Sequence, residues 1–598
     1  MTKWRFLDMN LNFMKLREQM KNQKVSYYLV PSEDPHQSEY VDDYFKCRQY
    51  ISGFTGSAGT FLAGCEEGWL WTDGRYFTQA EGQISSDITL MKQGVSGVPT
   101  ILEFLKEHLQ VGDTLGVNGF TISASYGKKV AKLVKQLGAS FRFDLRFVEE
   151  LWVKDDRPVI TKSAIYRHDI KYSGEHTDSK LARVREKMKE LNADAFFLSS
   201  LPDIAWLFNL RGDDIACTPL FYSYAWITMD KCFLFLRKDC ISAVAFQRFK
   251  EHGISIRDYM EVSSFLKDQH ETVLLNPDLT NYLHYNLLFK CKIIEDKNPT
   301  ELMKAIKNDI QIDHLKACHI NDGIAMTKFM YWLKKNVGKI PMTERMISDR
   351  LEEEREKQPD YSGPSFETIC AYKDHAAMMH YQSTEESDVD VKAEGMLLID
   401  SGGQYYGGTT DVTRTFILGP ISEEERKYFT LVLKSMLTLA NAKFLFGCRG
   451  SNLDILAREP LWEDGIDYRC GTGHGVGYFL GVHEGPNAFR WRSNPENLDA
   501  VLQPGMVITD EPGVYVPGKY GIRTENMLIC KKWQQNEYGA FLHFEPLTLV
   551  PIDLDGVDLS LFNEKEKQLL TDYQQFVYDT LSPHLNEEES AWLHTLTL

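Results

Sequence analysis

No stretch of this chain reaches the roughly 20 consecutive apolar residues that a membrane-spanning helix needs, so no membrane partner is expected. Basic residues are in deficit. Lys and Arg total 67 against 85 Asp and Glu, a formal net charge of −18 with a pI near 5.4. Phosphate backbones and anionic surfaces are bound by basic faces, which sets nucleic acid aside as a partner. Paired cysteines are missing as well: the eleven cysteines are scattered, odd in number and free of any CxxC spacing. That usage excludes a disulfide framework and points to reduced thiols in a cytoplasm. The opening MTKWRFLDMNLNFMKLREQM is amphipathic and lacks the continuous apolar run and small-residue cleavage site of a secretion signal, in keeping with a cytoplasmic location.

What is present is a long chain with a repeat inside it. A length of 598 residues at 43% hydrophobic content is too great for one core and implies about three or four domains. KLREQMKNQKVSYYLVPS, Lys15 to Ser32, recurs in outline as RVREKMKELNADAFFLSS, Arg183 to Ser200: a charged helix with one apolar face, then a buried strand. This reads as two related α/β domains. Lys154 to Lys180 is polar with little periodicity and is expected to link them, and a second change of composition lies near Glu295. The expected division is 1–155, 156–300 and 301–598. The third part opens on a helical pattern through Leu315, Ile320, Ile324, Met326 and Phe329, followed by a helix with Thr343 as its N-cap. After Phe544 the tail reads as one or two amphipathic helices that pack through Leu569, Leu570, Tyr573, Phe576 and Val577.

The third part also holds the chemistry. Asp400 closes the apolar run MLLID, and Asp411 precedes VTRTF after SGGQYYGGTT, whose glycines mark a reversal between strands, so the two aspartates can face each other. His474 lies in GTGHGVGYFLGVHEG, where glycines admit close approach of backbone, while Glu511 and Glu525 each sit beside a strand-like run. Two divalent ions roughly 3.5 Å apart repel strongly, and carboxylates between them offset that charge. Four carboxylates and one imidazole match two such ions, with Mn²⁺ suited better than a structural Zn²⁺ site, which favours Cys and His. Water between two such ions is acidified enough to serve as the nucleophile near neutral pH. Any one of these acids alone would read as solvated surface in a chain with 85 of them; the set is what points to a metal hydrolase.

These residues carry a resemblance. LLIDSGGQYYGGTTDVTRTF, GTGHGVGYFLGVHEGPN, ITDEPGVY and GIRTENMLI resemble the metal-binding segments of the pita-bread metallopeptidases, within them the aminopeptidase P group. VPSEDPHQSEY, ISGFTGSAGT and WTDGRYFTQA resemble the first domain of that group's three-domain form, so the likeness runs from about Leu16 to about Phe544. It implies an α/β (α+β) fold: two creatinase-like α/β domains, then a pita-bread catalytic domain. It implies that Asp400 binds one metal, Asp411 and Glu525 bridge, and His474 and Glu511 bind the other, the ions being Mn²⁺ with Co²⁺ or Zn²⁺ as alternatives. His380 and His483 match cleft histidines that orient the scissile carbonyl or the proline. Tyr515 would meet the prolyl ring or the tetrahedral intermediate, and Arg523 would hold a bridging carboxylate or guide substrate. The implied activity removes an N-terminal residue before a penultimate proline, with Glu511 passing a proton to the departing prolyl nitrogen. The implied partners are peptides with penultimate proline and a second copy of the chain. A prolidase that cleaves only dipeptides, and a metal-free binding protein of the same shape, are the alternatives.

Cys470 departs from the pattern, since many members of the group carry a histidine four residues before the metal histidine. A thiol is smaller and a weaker hydrogen-bond donor than imidazole, and no base partner is readable beside it. Cys470 is therefore expected to line the cleft without performing chemistry. His375 has no matched role.

Overall fold

The computed structural model describes residues 10–242, 249, 253–492 and 498–597. They divide into two units, Met1–Arg167 with Glu175–Thr300, and His168–Gly174 with Glu301–Leu598.

In the first unit the internal repeat becomes a repeated topology. The helix Leu11–Asn22 starts at Asn10, whose side chain accepts from the backbone N–H groups of Asn12 and Phe13, and it buries Phe13, Leu16 and Met20 at helical spacing. The helix Thr177–Glu190 buries Leu181, Val184 and Met188 at the equivalent positions. The strands that follow, Tyr27–Val30 and Ala195–Leu198, each become the fourth of six strands across a sheet. Numbering each sheet's six strands along the chain, the order across both sheets is fourth, third, second, first, fifth, sixth. The sense of pairing agrees too: first with second and second with third antiparallel, the other three pairs parallel.

The second unit is built on a long helix, Asp309–Asn336, closed at its start by a capping box between Asn308 and Gln311. Thr343 caps the next helix, Glu344–Arg355, accepting from Met346 N–H at 3.3 Å as the sequence pattern requires. Three antiparallel strands, Ile369–Tyr372, Met396–Ser401 and Val412–Ile417, form one sheet. Lys443–Leu445, Gly539–Pro546, Asn526–Asn536 and Val507–Asp510 form another. A core of Phe329, Met330, Ile347, Leu351, Leu397 and Phe416 binds the first helices to the first sheet.

Two expectations need correction. The stretch expected as a linker is in part built into the second unit, to which His168–Gly174 belongs: His168 Nε2 lies 2.7 Å from Tyr406 O, and the Tyr478 hydroxyl donates to Tyr172 O at 2.9 Å. Its polarity misleads because its rings are sparse and each makes a specific contact rather than part of a periodic face. In the tail, Leu570, Tyr573 and Val577 pack against Leu433, Met436 and Leu437, but Phe576 remains 46% exposed. Phe576 precedes Val577 on a helix, and the 100° turn between them carries its ring off the buried stripe. Among the described residues no helix is long and apolar enough to cross a membrane.

Candidate metal centre

The centre is assembled where strand ends and glycine-rich turns meet. Asp400 sits in the strand Met396–Ser401 opposite Thr413, and Asp411 lies two residues before Thr413, on the same side of the pleat. The return between them passes Gly402, where a Cβ would fall 1.9 Å from Thr410 O, so only glycine fits. His474 ends the short strand Gly473–His474, paired with Ala488–Phe489, and Gly473 is pressed so closely on the next segment that a Cβ would lie 2.0 Å from Thr509 O. Glu511 follows the strand Val507–Asp510, its N–H donating to Thr472 O at 2.8 Å. Glu525 joins the strand ends Arg523 and Asn526, its N–H donating to Thr413 O at 3.1 Å.

One ligand atom each from Asp411, His474 and Glu525 lies within 4.8 Å of the others. Nδ1 of His474 is 3.0 Å from Gly475 O, which assigns the ring proton to Nδ1 and leaves the lone pair on Nε2. That Nε2 is 3.5 Å from Asp411 Oδ2 and 3.4 Å from Glu511 Oε1, so a lone pair faces two carboxylate oxygens. Among the described residues Asp400 Oδ1 and Glu525 Oε1 are buried without a hydrogen-bond partner. Burial first, then the charges of Asp400 and Glu511, push the Asp411 carboxyl well above its ordinary range. Burial and the charge of Asp411 do the same to Glu525. Burial raises Glu511 to about 7, with Arg523 and His483 opposing and Asp400 assisting. Lone pairs and orphaned carboxylate oxygens converging in a buried space are a donor set fitted to divalent cations, which supply the missing positive charge.

Arg523 accounts for part of that charge. Its Nη2 donates to Asp400 Oδ2 at 2.5 Å, its Nη1 to the Tyr515 hydroxyl at 2.7 Å and its Nε to Thr413 Oγ1 at 3.1 Å. It thus holds Asp400 rather than Asp411 or Glu525, and Tyr515 reaches the centre through it. The ring of His483 stands 4.2 Å from that of His474 at 79°. His380 follows Met379, whose carbonyl accepts from Arg523 Nη2 at 3.4 Å. Cys470 is half-buried at the margin of the apolar cluster formed by Leu461, Tyr468, Val514 and Ile522, where Tyr515 also packs.

Two threonines complete the centre that the sequence reading passed over. Thr413 Oγ1 donates to Glu525 Oε2 at 2.7 Å, and Thr509 Oγ1 donates to Glu511 Oε1 at 3.1 Å. Each stands two residues from an acid of the set on a β-strand path, so a period of two was the signal available. Arg458 is a third. It is fully buried and donates to Asp454, Asp467, Tyr468 O and Cys470 O, fixing the segment that leads into His474.

Two strand-order copies ahead of a buried carboxylate centre on antiparallel sheets define a class of metallopeptidase, and comparison with known proteins gives the same class. Residues 313–532 match the model of metallopeptidase family M24 and 540–598 its C-terminal region, while 13–141 and 156–311 each match a creatinase/prolidase N-terminal domain. Probable Xaa-Pro aminopeptidase P of Botryotinia fuckeliana is 38% identical over 97% of this chain and 91% of its own length. Xaa-Pro aminopeptidase 1 of Dictyostelium discoideum is 36% identical over 97% and 95%. The crystal structure of X-prolyl aminopeptidase from Caenorhabditis elegans, described as a cytosolic enzyme with a di-nuclear active site, superposes with a TM-score of 0.93 at 34% identity, covering 98% of this chain and 99% of that one. The chain belongs to the Xaa-Pro aminopeptidase family.

Proposed function

We propose that this protein is a metal-dependent aminopeptidase that hydrolyses the bond between an N-terminal residue and a penultimate proline. The observation that carries this is the convergence of buried Asp411 and Glu525 and half-buried His474 on one point, in a chain similar over nearly its full length to a di-nuclear X-prolyl aminopeptidase. Asp411 and Glu525 would hold both ions, Asp400 one, and His474 with Glu511 the other; oxygen-rich ligation with a single imidazole suits Mn²⁺. When bound, the ions supply Lewis acidity toward the scissile carbonyl and toward water.

The residues of the chain do the rest. The Gly475 carbonyl fixes the His474 tautomer so that Nε2 is the donor atom. Thr413 and Thr509 each give a hydroxyl proton to one carboxylate oxygen, which aims the other oxygen. Glu511, whose Oε1 lies 3.4 Å from His474 Nε2, carries a proton to the prolyl nitrogen as it departs. His380 and His483 donate to the carbonyl oxygen as negative charge builds on it. Arg523 neutralises the Asp400 side of the centre, and Tyr515, set by Arg523, borders the pyrrolidine ring. Proline requires such a site because its nitrogen carries no proton and its ring fixes φ, so grips on an extended backbone fail there.

The same reading divides the chain at 155 and 300 into two creatinase-like parts and a catalytic part. It places the protein in the cytoplasm, supported by eleven free cysteines, and pairs it as a homodimer, which light scattering would test. The test of function is hydrolysis of Xaa-Pro-Yaa, Xaa-Ala-Yaa and Xaa-Pro peptides with and without Mn²⁺, alongside metal analysis. Cleavage of Xaa-Pro-Yaa at the first bond, with kcat/KM at least about 10²-fold above the alanine peptide, is the expected result. Equal rates for both, or turnover confined to the dipeptide, would overturn it.

A further inference from the structure

Glu344 is fully buried at the start of the helix Glu344–Arg355 and is not one of the acids of the metal centre. Its carboxylate collects three donors from one short stretch of chain. The backbone N–H of Tyr372 donates to Oε1 at 2.7 Å, and the Tyr381 hydroxyl to Oε2 at 2.8 Å. Nδ1 of His375 lies 2.9 Å from Oε1 and 3.1 Å from Oε2. The rings of His375 and Tyr381 are themselves 4.5 Å apart. Hydrogen bonding to Glu344 raises the His375 pKa against the opposing effect of burial, with the charges of Glu344, Asp374 and Asp388 adding to the rise.

Tyr372 and Tyr381 bracket residues 373–380, and His375 lies within them. The bracketed stretch is a 3-10 turn, Lys373–Ala377, followed by Met378, Met379 and His380. One side of the turn is pressed on the strand Tyr520–Arg523 so closely that a Cβ on Gly521 would fall 1.8 Å from Ala376 O. Its far end meets the centre, where the nitrogen of Arg523 that donates to Asp400 also donates to Met379 O. A buried carboxylate is costly unless its lone pairs are satisfied, and here every donor named comes from the chain on either side of His380 or within its turn.

We propose that Glu344 is a positioning residue for the hydrolytic reaction: by gripping Tyr372, His375 and Tyr381 together it holds the 373–380 turn so that His380 stands at a fixed distance from the reacting carbonyl. This rests on the reading of His380 as a cleft residue. A group aimed at a developing charge acts over a few tenths of an ångström, and a misplacement of about 1 Å costs on the order of 10²-fold in rate. Loosening the clamp therefore acts on kcat more than on KM or metal content.

The test is a double-mutant cycle with saturating Mn²⁺ on one Xaa-Pro-Yaa peptide. Glu344→Gln, His375→Gln and Tyr381→Phe are made alone and on a His380→Ala background, with kcat, KM, bound metal and urea unfolding measured for each. Glu344→Gln is expected to lower kcat by about 10- to 100-fold with KM and metal content within about twofold of wild type. On the His380→Ala background it is expected to have no further effect. Should Glu344→Gln fail to fold, the two milder variants, each removing one arm of the clamp, carry the same cycle with losses of about 3- to 10-fold. A His380→Ala enzyme as active as wild type would sink the assignment of His380 and the clamp with it. A crippled His380→Ala enzyme on which the clamp variants still act in full, or a loss of metal in step with kcat, would sink the clamp alone.

Discussion

At the residue scale the centre is governed by uncompensated lone pairs. Glu525 presents one oxygen to Thr413 and leaves the other without a protein donor, so its charge is useful only to a cation. Glu525→Gln keeps the volume and removes that charge, as Asp411→Asn does beside it. Either substitution is expected to lower kcat by at least about 10³-fold and to reduce bound Mn²⁺ below the wild-type ratio, read by metal analysis after gel filtration. Wild-type turnover in either would remove the bridging assignment. The ligand types were legible because carboxylates beside strands and a histidine among glycines announce themselves in one dimension. Thr413 was not, since a threonine in a strand is ordinary β-former until its hydroxyl is seen on Glu525. Arg523 was half legible: its basic character next to Glu525 was plain, but its partner, Asp400, lies 123 residues away along the chain.

At the scale of elements, glycine decides how near two segments can run. Gly473 brings the strand bearing His474 against the Thr509 carbonyl, and a methyl group there would meet backbone that cannot swing aside. Gly473→Ala is expected to cost about 1–3 kcal/mol in urea unfolding and to lose metal together with stability. Gly82→Ala is the control, a glycine within the helix Phe77–Gln83 with nothing inside 4 Å of the added carbon, where stability should hold or rise slightly. Equal behaviour of the two variants would refute the packing argument. Helix starts such as Thr343 were readable because capping is local. The segment His168–Gly174 was not, because two of its hydrogen-bond partners, Tyr406 and Tyr478, are supplied from more than 200 residues away.

For the whole molecule, the raised carboxyl groups tie stability to pH and to metal together. In the metal-free protein Glu511 titrates at about 7 and Asp411 and Glu525 lie well above their ordinary range, so the folded chain holds protons that the unfolded chain has released. Between the ordinary carboxylate range and about pH 7 the folded state is the one with more bound protons, and its stability from these groups falls as pH rises. Cations bind the ionised form and remove that penalty. The gap in Tm between the Mn²⁺-loaded and metal-free protein is therefore expected to widen from pH 5 to pH 8, as measured by differential scanning calorimetry. A gap that stays constant across that range would contradict the burial of ionisable groups at the centre.

The repeated strand order of the first unit also has a consequence in terms of descent. Two sheets with one strand order and one pattern of pairing are the mark of a copied segment, and each copy then serves as a record of what the other has changed. In the register that superposes Phe13 on Leu181 and Met20 on Met188, Asn12 falls on Lys180. Asn12 Nδ2 donates to Tyr50 O at 3.1 Å in the helix Cys47–Ser52, and Lys180 Nζ donates to Trp206 O at 2.8 Å in the helix Leu201–Phe208. The side chain differs and the task is the same, a donor reaching from one helix to a carbonyl of the next. The two copies thus share the bond between helices and differ in the residue that makes it.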